Sequence, residues 1–168
     1  LTSFTDYTLR VLIYLGAHQR EGRLATIGDI AAAYGISANH LMKIVNDLAR
    51  QGVLETTRGR GGGLRLLKAP ATIRVGDVVR SSETDFRLVE CFDRSTNACS
   101  LTPSCRLKGV FHAALQAYFK ELDGATLADI AGPVPSARGA GAASRRASTV
   151  VPISAPMTRR RAPAKHSA

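Results

Sequence analysis

The sequence predicts a mainly α-helical fold: a winged helix-turn-helix, a long C-terminal helix and a disordered tail. Two short segments with apolar residues at helical spacing are joined by a turn that contains Gly35, which is typical of a helix-turn-helix. A glycine-rich turn between two strand-like segments follows directly, as in a wing. From Pro133 onward, Ala, Ser, Pro, Gly and Arg dominate without apolar periodicity, a composition that does not form a packed core.

The helices of this fold are predicted from periodicity and from capping residues. The first runs from Thr5 to about Gln19. Thr26 and Asp29 have the spacing of a capping box and begin the second helix. Ser37 is the expected N-cap of the third helix, Ala38 to about Gln51, which is the expected recognition helix.

The wing and the C-terminal helices follow in order. Val53–Thr57 and Leu64–Leu67 are strand-like and flank the flexible turn Arg58–Gly63. A short helix is expected at Ile73–Val79, after the break at Pro70, and residues 81–105 are expected to form a polar loop. Leu107–Asp123 is the longest predicted helix.

This longest helix has a broader apolar face than a small core needs, which predicts a dimerisation helix. Packing within one domain is the alternative explanation. The residues that follow heptad-like steps on this face are Leu107, Phe111, Ala114, Tyr118 and Glu121 or Leu122. The residues that widen it are Val110, Leu115 and Phe119.

Charge is distributed unevenly along the chain. Residues 1–74 carry ten Lys or Arg and five Asp or Glu, whereas residues 75–132 carry six and eight. Residues 133–168 carry seven basic residues and no acidic ones. A basic first half is compatible with binding to nucleic acid, and an ordinary solvated surface explains the charge equally well.

The start of the recognition helix and the wing supply the candidate DNA-binding residues. Asn39 can pair with adenine in the major groove, and the wing arginines can contact phosphate or the minor groove. His40 could instead be a structural histidine. A nucleotide-phosphate loop is a poor alternative for the wing, because no Lys-Ser/Thr pair follows. The candidates are Ser37, Asn39, His40, Lys43, Arg58 and Arg60.

All three cysteines of the chain, Cys91, Cys99 and Cys105, lie within 15 residues of one another. Such a group suits an iron–sulfur cluster. A disulfide with one spare thiol, a redox pair of Cys99 and Cys105, and a zinc site with unusual spacing are the alternatives. A cluster would need a fourth ligand, and the residue types allow Asp6, His40, Glu90, Asp93 or His112.

The sequence also favours some cellular settings and functions over others. No apolar stretch is long enough for a membrane span, and no secretory leader is evident, so we expect a cytoplasmic protein. We find no catalytic Ser/His/Asp set, no paired carboxylates and no cofactor loop, and therefore expect no enzyme.

Several motifs in order resemble one family. The chain resembles the nitric-oxide-sensitive iron–sulfur repressors of the NsrR type, which share a dimeric winged-helix family with the regulator IscR. The resemblance covers residues 1–132 and leaves the tail out. Its motifs are FTDYTLRVLIYL (Phe4–Leu15), the segment Ser37–Lys43, the wing Arg58–Leu66, IRVGDVV (Ile73–Val79), LTPSCRLK (Leu101–Lys108) and TLADI (Thr126–Ile130).

The resemblance implies a function. It implies a homodimer that binds a partly palindromic operator while an iron–sulfur cluster, [4Fe–4S] or [2Fe–2S], is intact, and that releases DNA when nitric oxide attacks the cluster. A regulator of the same fold that senses cluster supply, iron or oxidative stress is the alternative.

The resemblance also bears on the fourth ligand. Some relatives use a histidine three residues after the last cysteine, where this chain has Lys108. The nitric-oxide-sensitive branch can use the aspartate of its FTDY motif, donated by the other subunit, which corresponds here to Asp6. An N-cap of the first helix is the alternative role for Asp6. The first cysteine gap, of seven residues, is at the long end for the family.

These expectations divide the chain into four parts. They are a winged helix-turn-helix DNA-binding domain (1–80), a cluster-binding loop (81–106), a dimerisation helix with a C-terminal turn (107–132) and a disordered basic tail (133–168).

Overall fold

The computed structural model describes residues 1–18 and 24–131. The predicted tail and the last residue of the first predicted helix, Gln19, lie outside these ranges. The elements are α1 (Ser3–His18), α2 (Ile27–Tyr34), α3 (Ala38–Arg50), β1 (Leu54–Thr57), β2 (Gly63–Leu66), α4 (Val75–Ser82), α5 (Arg106–Gly124) and α6 (Leu127–Ile130), with short 3₁₀ helices at Pro70–Thr72 and Glu90–Phe92.

The helix-turn-helix has the predicted ends. The Thr26 hydroxyl accepts a hydrogen bond from the Asp29 amide at 3.1 Å, and the Asp29 carboxylate accepts one from the Thr26 amide at 2.9 Å. Gly35 ends α2 with a φ of 66°, a conformation that glycine adopts without a steric penalty. Ser37 occupies the N-cap position of α3, but its side chain makes no capping hydrogen bond.

The core is aliphatic and lies where α1, α2, α3 and the wing meet. Its burial excludes water from one face of each helix, which is the main stabilising contribution in a domain of this size. The residues that are buried most completely in these elements include Val11, Leu12, Ile30, Leu41, Ile44, Leu48 and Leu54.

The wing is an antiparallel hairpin fixed to the segment before α2. Leu54 pairs with Leu66 at its base, and the Leu64 amide donates to the Ala25 carbonyl at 2.7 Å. A Cβ on Gly62 would lie 2.2 Å from the Thr57 carbonyl oxygen, so the tip cannot close with a larger residue there.

The fourth predicted helix, Ile73–Val79, begins later than the pattern indicated. Ile73 and Arg74 are extended because they pair with the segment that leads into α6, and α4 starts at Val75. The Leu127 amide donates to the Ile73 carbonyl at 2.8 Å, and the Val75 amide donates to the Ala125 carbonyl at 2.9 Å. This pairing joins the end of the described chain to the helix-turn-helix.

The long helix α5 has two adjacent apolar faces, and none of its residues is fully buried. One face is half-buried and includes Leu115 and Phe119, which lie towards the rest of the chain. The second face is exposed, with Leu107 at 55% and Val110 at 61% of full exposure. The predicted heptad face straddles the boundary between them. The exposed face consists of Leu107, Val110, Ala114, Ala117, Tyr118 and Glu121.

Among the described residues, no helix combines the length and the apolar character that crossing a lipid bilayer requires.

Candidate DNA interface and cysteine site

Helix α3 has one buried face and one polar, exposed face. Leu41, Ile44, Val45 and Leu48 anchor it in the core. This anchoring leaves the opposite face to solvent, where hydrogen-bonding side chains can reach a DNA groove. The predicted contact residues Ser37, Asn39, His40 and Lys43 are all exposed there.

The start of α3 lies against the start of α1. The rings of Tyr7 and His40 are 6.3 Å apart between centroids. Ser3, Phe4 and Lys43 contribute to the lining of a cavity of about 230 Å³ between the two helices. His40 thus has both a packing neighbour and an exposed edge.

The wing arginines Arg58 and Arg60 lie at the exposed tip of the hairpin. The ion pairs of the described residues include neither of them. Other basic residues nearby are paired: Arg65 with Glu55 across the hairpin and Arg50 with its helix neighbour Asp47. The unpaired positive charge of the wing is therefore concentrated at its tip, as suits a phosphate or minor-groove contact.

The three cysteines are free thiols in the loop between α4 and α5 and at the start of α5. Cys91 is buried in the 3₁₀ turn, whereas Cys99 and Cys105 are half-buried. Within residues 1–18 and 24–131 of this single chain, no three Cys, His, Asp or Glu residues are grouped closely enough to hold a metal ion. The structure therefore brings the cysteines into one loop without forming a complete ligand set.

The donor chemistry of this loop nevertheless fits an iron–sulfur cluster. Thiolate sulfur is the ligand that such clusters use, and none of the three cysteines is used in a disulfide. Cys105 is the N-cap residue of α5, followed by Arg106 and Lys108. Because a helix N-terminus favours negative charge, this end suits an anionic ligand set.

Polar contacts define the shape of the cysteine loop. The Asp93 carboxylate accepts from the Ser95 amide at 2.9 Å, from the Ser95 hydroxyl at 2.6 Å and from Arg87 at 2.8 Å. These hydrogen bonds, first those of Ser95, lower the pKa of Asp93 to about 2. Asp93 is thus engaged in holding a turn.

The other loop candidates for a fourth ligand are also engaged. Glu90 accepts from the Ala98 amide at 2.6 Å. His112 lies beside Phe92, with 6.4 Å between the ring centroids. Both contacts link distant parts of the loop region and give these side chains structural roles.

Asp6 lies inside the first turn of α1 and is not its N-cap. The Thr2 hydroxyl instead accepts from the Thr5 amide at 3.4 Å. The Asp6 carboxylate pairs with Arg10 at 3.0 Å, and its side chain is 47% exposed. It is therefore accessible to a second molecule.

The comparisons with known proteins identify the family. Residues 1–133 match Rrf2, described as an iron-dependent transcriptional regulator. The chain belongs to this family. As an Rrf2 regulator it is a DNA-binding transcription factor and not an enzyme, as the sequence predicted.

Named relatives support the same assignment. The chain is 53% identical over 130 residues to the HTH-type transcriptional regulator NsrR of Bacillus licheniformis, covering 77% of this chain and 90% of that protein. It is 49% identical over 130 residues to NsrR of Shouchella clausii, covering 77% and 87% of the two chains. The predicted resemblance is confirmed.

Solved structures support the predicted fold. IscR of T. potens superposes with a TM-score of 0.60 at 26% identity, covering 77% of this chain and 84% of that one. CymR of Staphylococcus aureus superposes with a TM-score of 0.63 at 22% identity, covering 80% and 100%, and shows the fold alone. The mainly helical winged-helix class is thus confirmed.

The sequence alone did not reveal the contact between α4 and α5. Arg80 pairs with Asp123, and Gly76 lies directly beneath this pair. The glycine within the otherwise apolar IRVGDVV segment was the available signal, since a glycine inside a helix often marks a close approach.

Proposed function

We propose that this protein is a nitric-oxide-sensing transcriptional repressor that binds operator DNA as a homodimer. The observation that carries the proposal is that one chain combines a recognition helix with an exposed polar face and three free cysteines in the segment that leads into the long helix α5. The sequence is 49–53% identical over 130 residues to regulators named NsrR, which favours this function over other functions of the fold.

Base recognition is assigned to the start of α3. Asn39 has the donor and acceptor needed for an adenine edge, with Ser37 and His40 beside it. Phosphate binding is assigned to Lys43, Arg58 and Arg60, the exposed cations that flank this face.

The cluster is assigned to Cys91, Cys99 and Cys105, with Asp6 of the partner subunit as the fourth ligand. An iron–sulfur cluster, [4Fe–4S] or [2Fe–2S], would supply reactivity toward nitric oxide when bound. The Asp6 oxygen is a harder donor than sulfur and binds iron less tightly, so this corner would be the most easily displaced. The exposure of Asp6 supports its donation to another subunit.

Dimerisation is assigned to the exposed face of α5. Leu107 and Val110 leave apolar surface uncovered at one end of this face, and Tyr118 at the other. Arg106 is exposed near the start of the helix and Glu121 near its end. An antiparallel pair of α5 helices about a two-fold axis would place these opposite charges together.

The proposed response to nitric oxide depends on the link that Asp6 would form between the two subunits. The cysteine loop of one subunit and the α1 start of the other would be held together at Asp6. Because α1 packs on α3, loss of this link would let the recognition helices change their separation. Half-site spacing is fixed by DNA geometry, so a small change would remove several contacts at once.

Anaerobic purification with iron and sulfide counting, followed by DNA binding before and after nitric oxide, tests the proposal. We expect iron and sulfide together, tight operator binding and its loss after nitric oxide. Cys99→Ser should remove the iron and sulfide and the tight operator binding, whereas Ser104→Ala nearby should preserve the metal content, the binding and its response to nitric oxide.

Other outcomes would contradict the proposal. Cluster-dependent binding that nitric oxide does not change would favour a sensor of cluster supply, iron or oxidative stress. Zinc without iron or sulfide would exclude an iron–sulfur regulator.

A further inference from the structure

Arg80 is the centre of the contact between α4 and α5. Its guanidinium donates to both carboxylate oxygens of Asp123, at 2.6 and 2.7 Å. The same guanidinium lies 4.2 Å from the centre of the Phe119 ring, and Phe86 meets that ring edge-on with 4.7 Å between centroids. A planar group that is both paired and stacked has one preferred orientation, because both contacts are directional.

The Asp123 side chain lies close to the backbone of α4 at Gly76. A Cβ on Gly76 would lie 1.9 Å from the Asp123 carboxylate, so only glycine leaves room for the pair. Helix α4 also packs against α1, with Val78 and Val79 buried. Because Arg80 belongs to α4, its contact with Asp123 fixes the end of α5 relative to the DNA-binding core.

The other end of α5 lacks comparable attachment. In the part of the chain that the structure describes, Asp123 accepts all of the hydrogen bonds that other elements donate to α5, and the Ala125 carbonyl just beyond the helix accepts another. At the opposite end, Cys105 begins the helix, and Leu107 and Val110 are exposed. Helix α5 therefore connects the cysteine loop to the core, and its hydrogen-bonded attachment lies at its C-terminal end.

We propose that Arg80 is a positioning residue that sets the direction of α5 relative to the DNA-binding core, so that the state of the cysteine site controls DNA affinity. This inference rests on the proposed function. Arg80 would act through Asp123 and Phe119, and it would contact neither DNA nor the cluster.

The exposure of the pair argues against a purely stabilising role. The side chains of Arg80 and Asp123 are 40% and 36% exposed, and ion pairs this accessible contribute little to fold stability. Their directional geometry can still determine an angle between helices. Removing the pair should therefore change the coupling between sites more than it changes unfolding.

The test compares DNA affinity with and without the cluster in the full chain. We define the affinity ratio as the DNA affinity of cluster-loaded protein divided by that of cluster-free protein. In the wild type we expect this ratio to be roughly 5- to 150-fold, which is typical of coupled sites. Asp123→Asn and Arg80→Lys should reduce the ratio towards one, because cluster-loaded protein binds as weakly as cluster-free protein. Lysine retains the charge but cannot form the paired and stacked arrangement.

Asp77→Asn is the matched control. Asp77 is the other acidic neighbour of Arg80, at 3.7 Å, but it belongs to α4 and does not bridge to α5. It should retain the wild-type ratio. Iron and sulfide content and the melting temperature should remain at wild-type values in all three variants.

An unchanged ratio in Arg80→Lys and Asp123→Asn, with the wild type responsive, would overturn the inference. So would an equal loss in Asp77→Asn, or a loss accompanied by less cluster or a lower melting temperature, since any of these would indicate a general structural effect. If wild-type protein binds DNA equally well with and without the cluster, the proposed function itself is refuted. The wild-type measurement therefore tests the proposed function separately from the role of Arg80.

Discussion

The carboxylate of Asp6 accepts a hydrogen bond from Arg10, one turn later in α1, at 3.0 Å. Both side chains are nearly half exposed. A pair of this kind orients the carboxylate and contributes little to stability. Asp6 can therefore exchange Arg10 for another partner at small cost to the fold, as a ligand donated to a second subunit would require.

Asp6→Ala should leave the unfolding free energy of the cluster-free protein within about 0.5 kcal/mol of wild type. It should shorten the lifetime of the cluster under nitric oxide, because a ligand is lost. Absorption decay after anaerobic mixing measures this lifetime. Arg10→Ala removes the same ion pair but keeps the carboxylate, and should leave the lifetime near wild type. Equal decay in both variants would assign the effect to the ion pair.

The two cap positions of the helix-turn-helix should separate stability from DNA binding. Thr26→Ala removes a capping hydrogen bond and should cost about 1 kcal/mol in thermal unfolding. Ser37→Ala removes no such bond and should leave unfolding almost unchanged while weakening operator binding. Destabilisation by Ser37→Ala with unaltered DNA binding would refute its assignment to the DNA interface.

The wing tip should be sensitive to a single methyl group. Gly62→Ala would place a Cβ 2.2 Å from the Thr57 carbonyl oxygen and should cost roughly 1–3 kcal/mol, with weaker DNA binding. Gly28→Ala, whose Cβ would meet only the Thr26 hydroxyl at 3.6 Å, should be neutral or slightly stabilising. Identical melting temperatures and affinities for the two variants would contradict the described wing.

Asp93 should keep its charge far into acid. Its pKa is about 2, below the ordinary value near 3.9, because Ser95 and Arg87 donate to the carboxylate. A lowered folded-state pKa contributes stability that is present above the ordinary value and is lost as pH falls through about 2. Carboxyl NMR titration should therefore give a midpoint near 2, and Asp93→Asn should remove this transition. A midpoint near 3.9 would show that the turn is not formed.

The elements that could be predicted from the sequence are those with local signals. A capping box is complete within four residues. The apolar pattern that buries one face of the recognition helix is complete within about two turns. The positions of Cys91, Cys99 and Cys105 in one loop were predictable because residues 81–105 are polar and lack apolar periodicity. The exposed residues of α3 were likewise predictable, because burial of one helix face exposes the opposite one.

The sequence by itself therefore determined the order of the helices, the wing, the exposed face of α3 and the placement of the three cysteines just before α5. Tertiary structure alone decided that Ile73 and Arg74 are extended, that the apolar surface of α5 divides into two faces, and that Arg80 meets Asp123 across 43 residues. These features depend on which distant segments pack together. Periodicity and capping describe interactions within a few residues, so they contain no information about that packing.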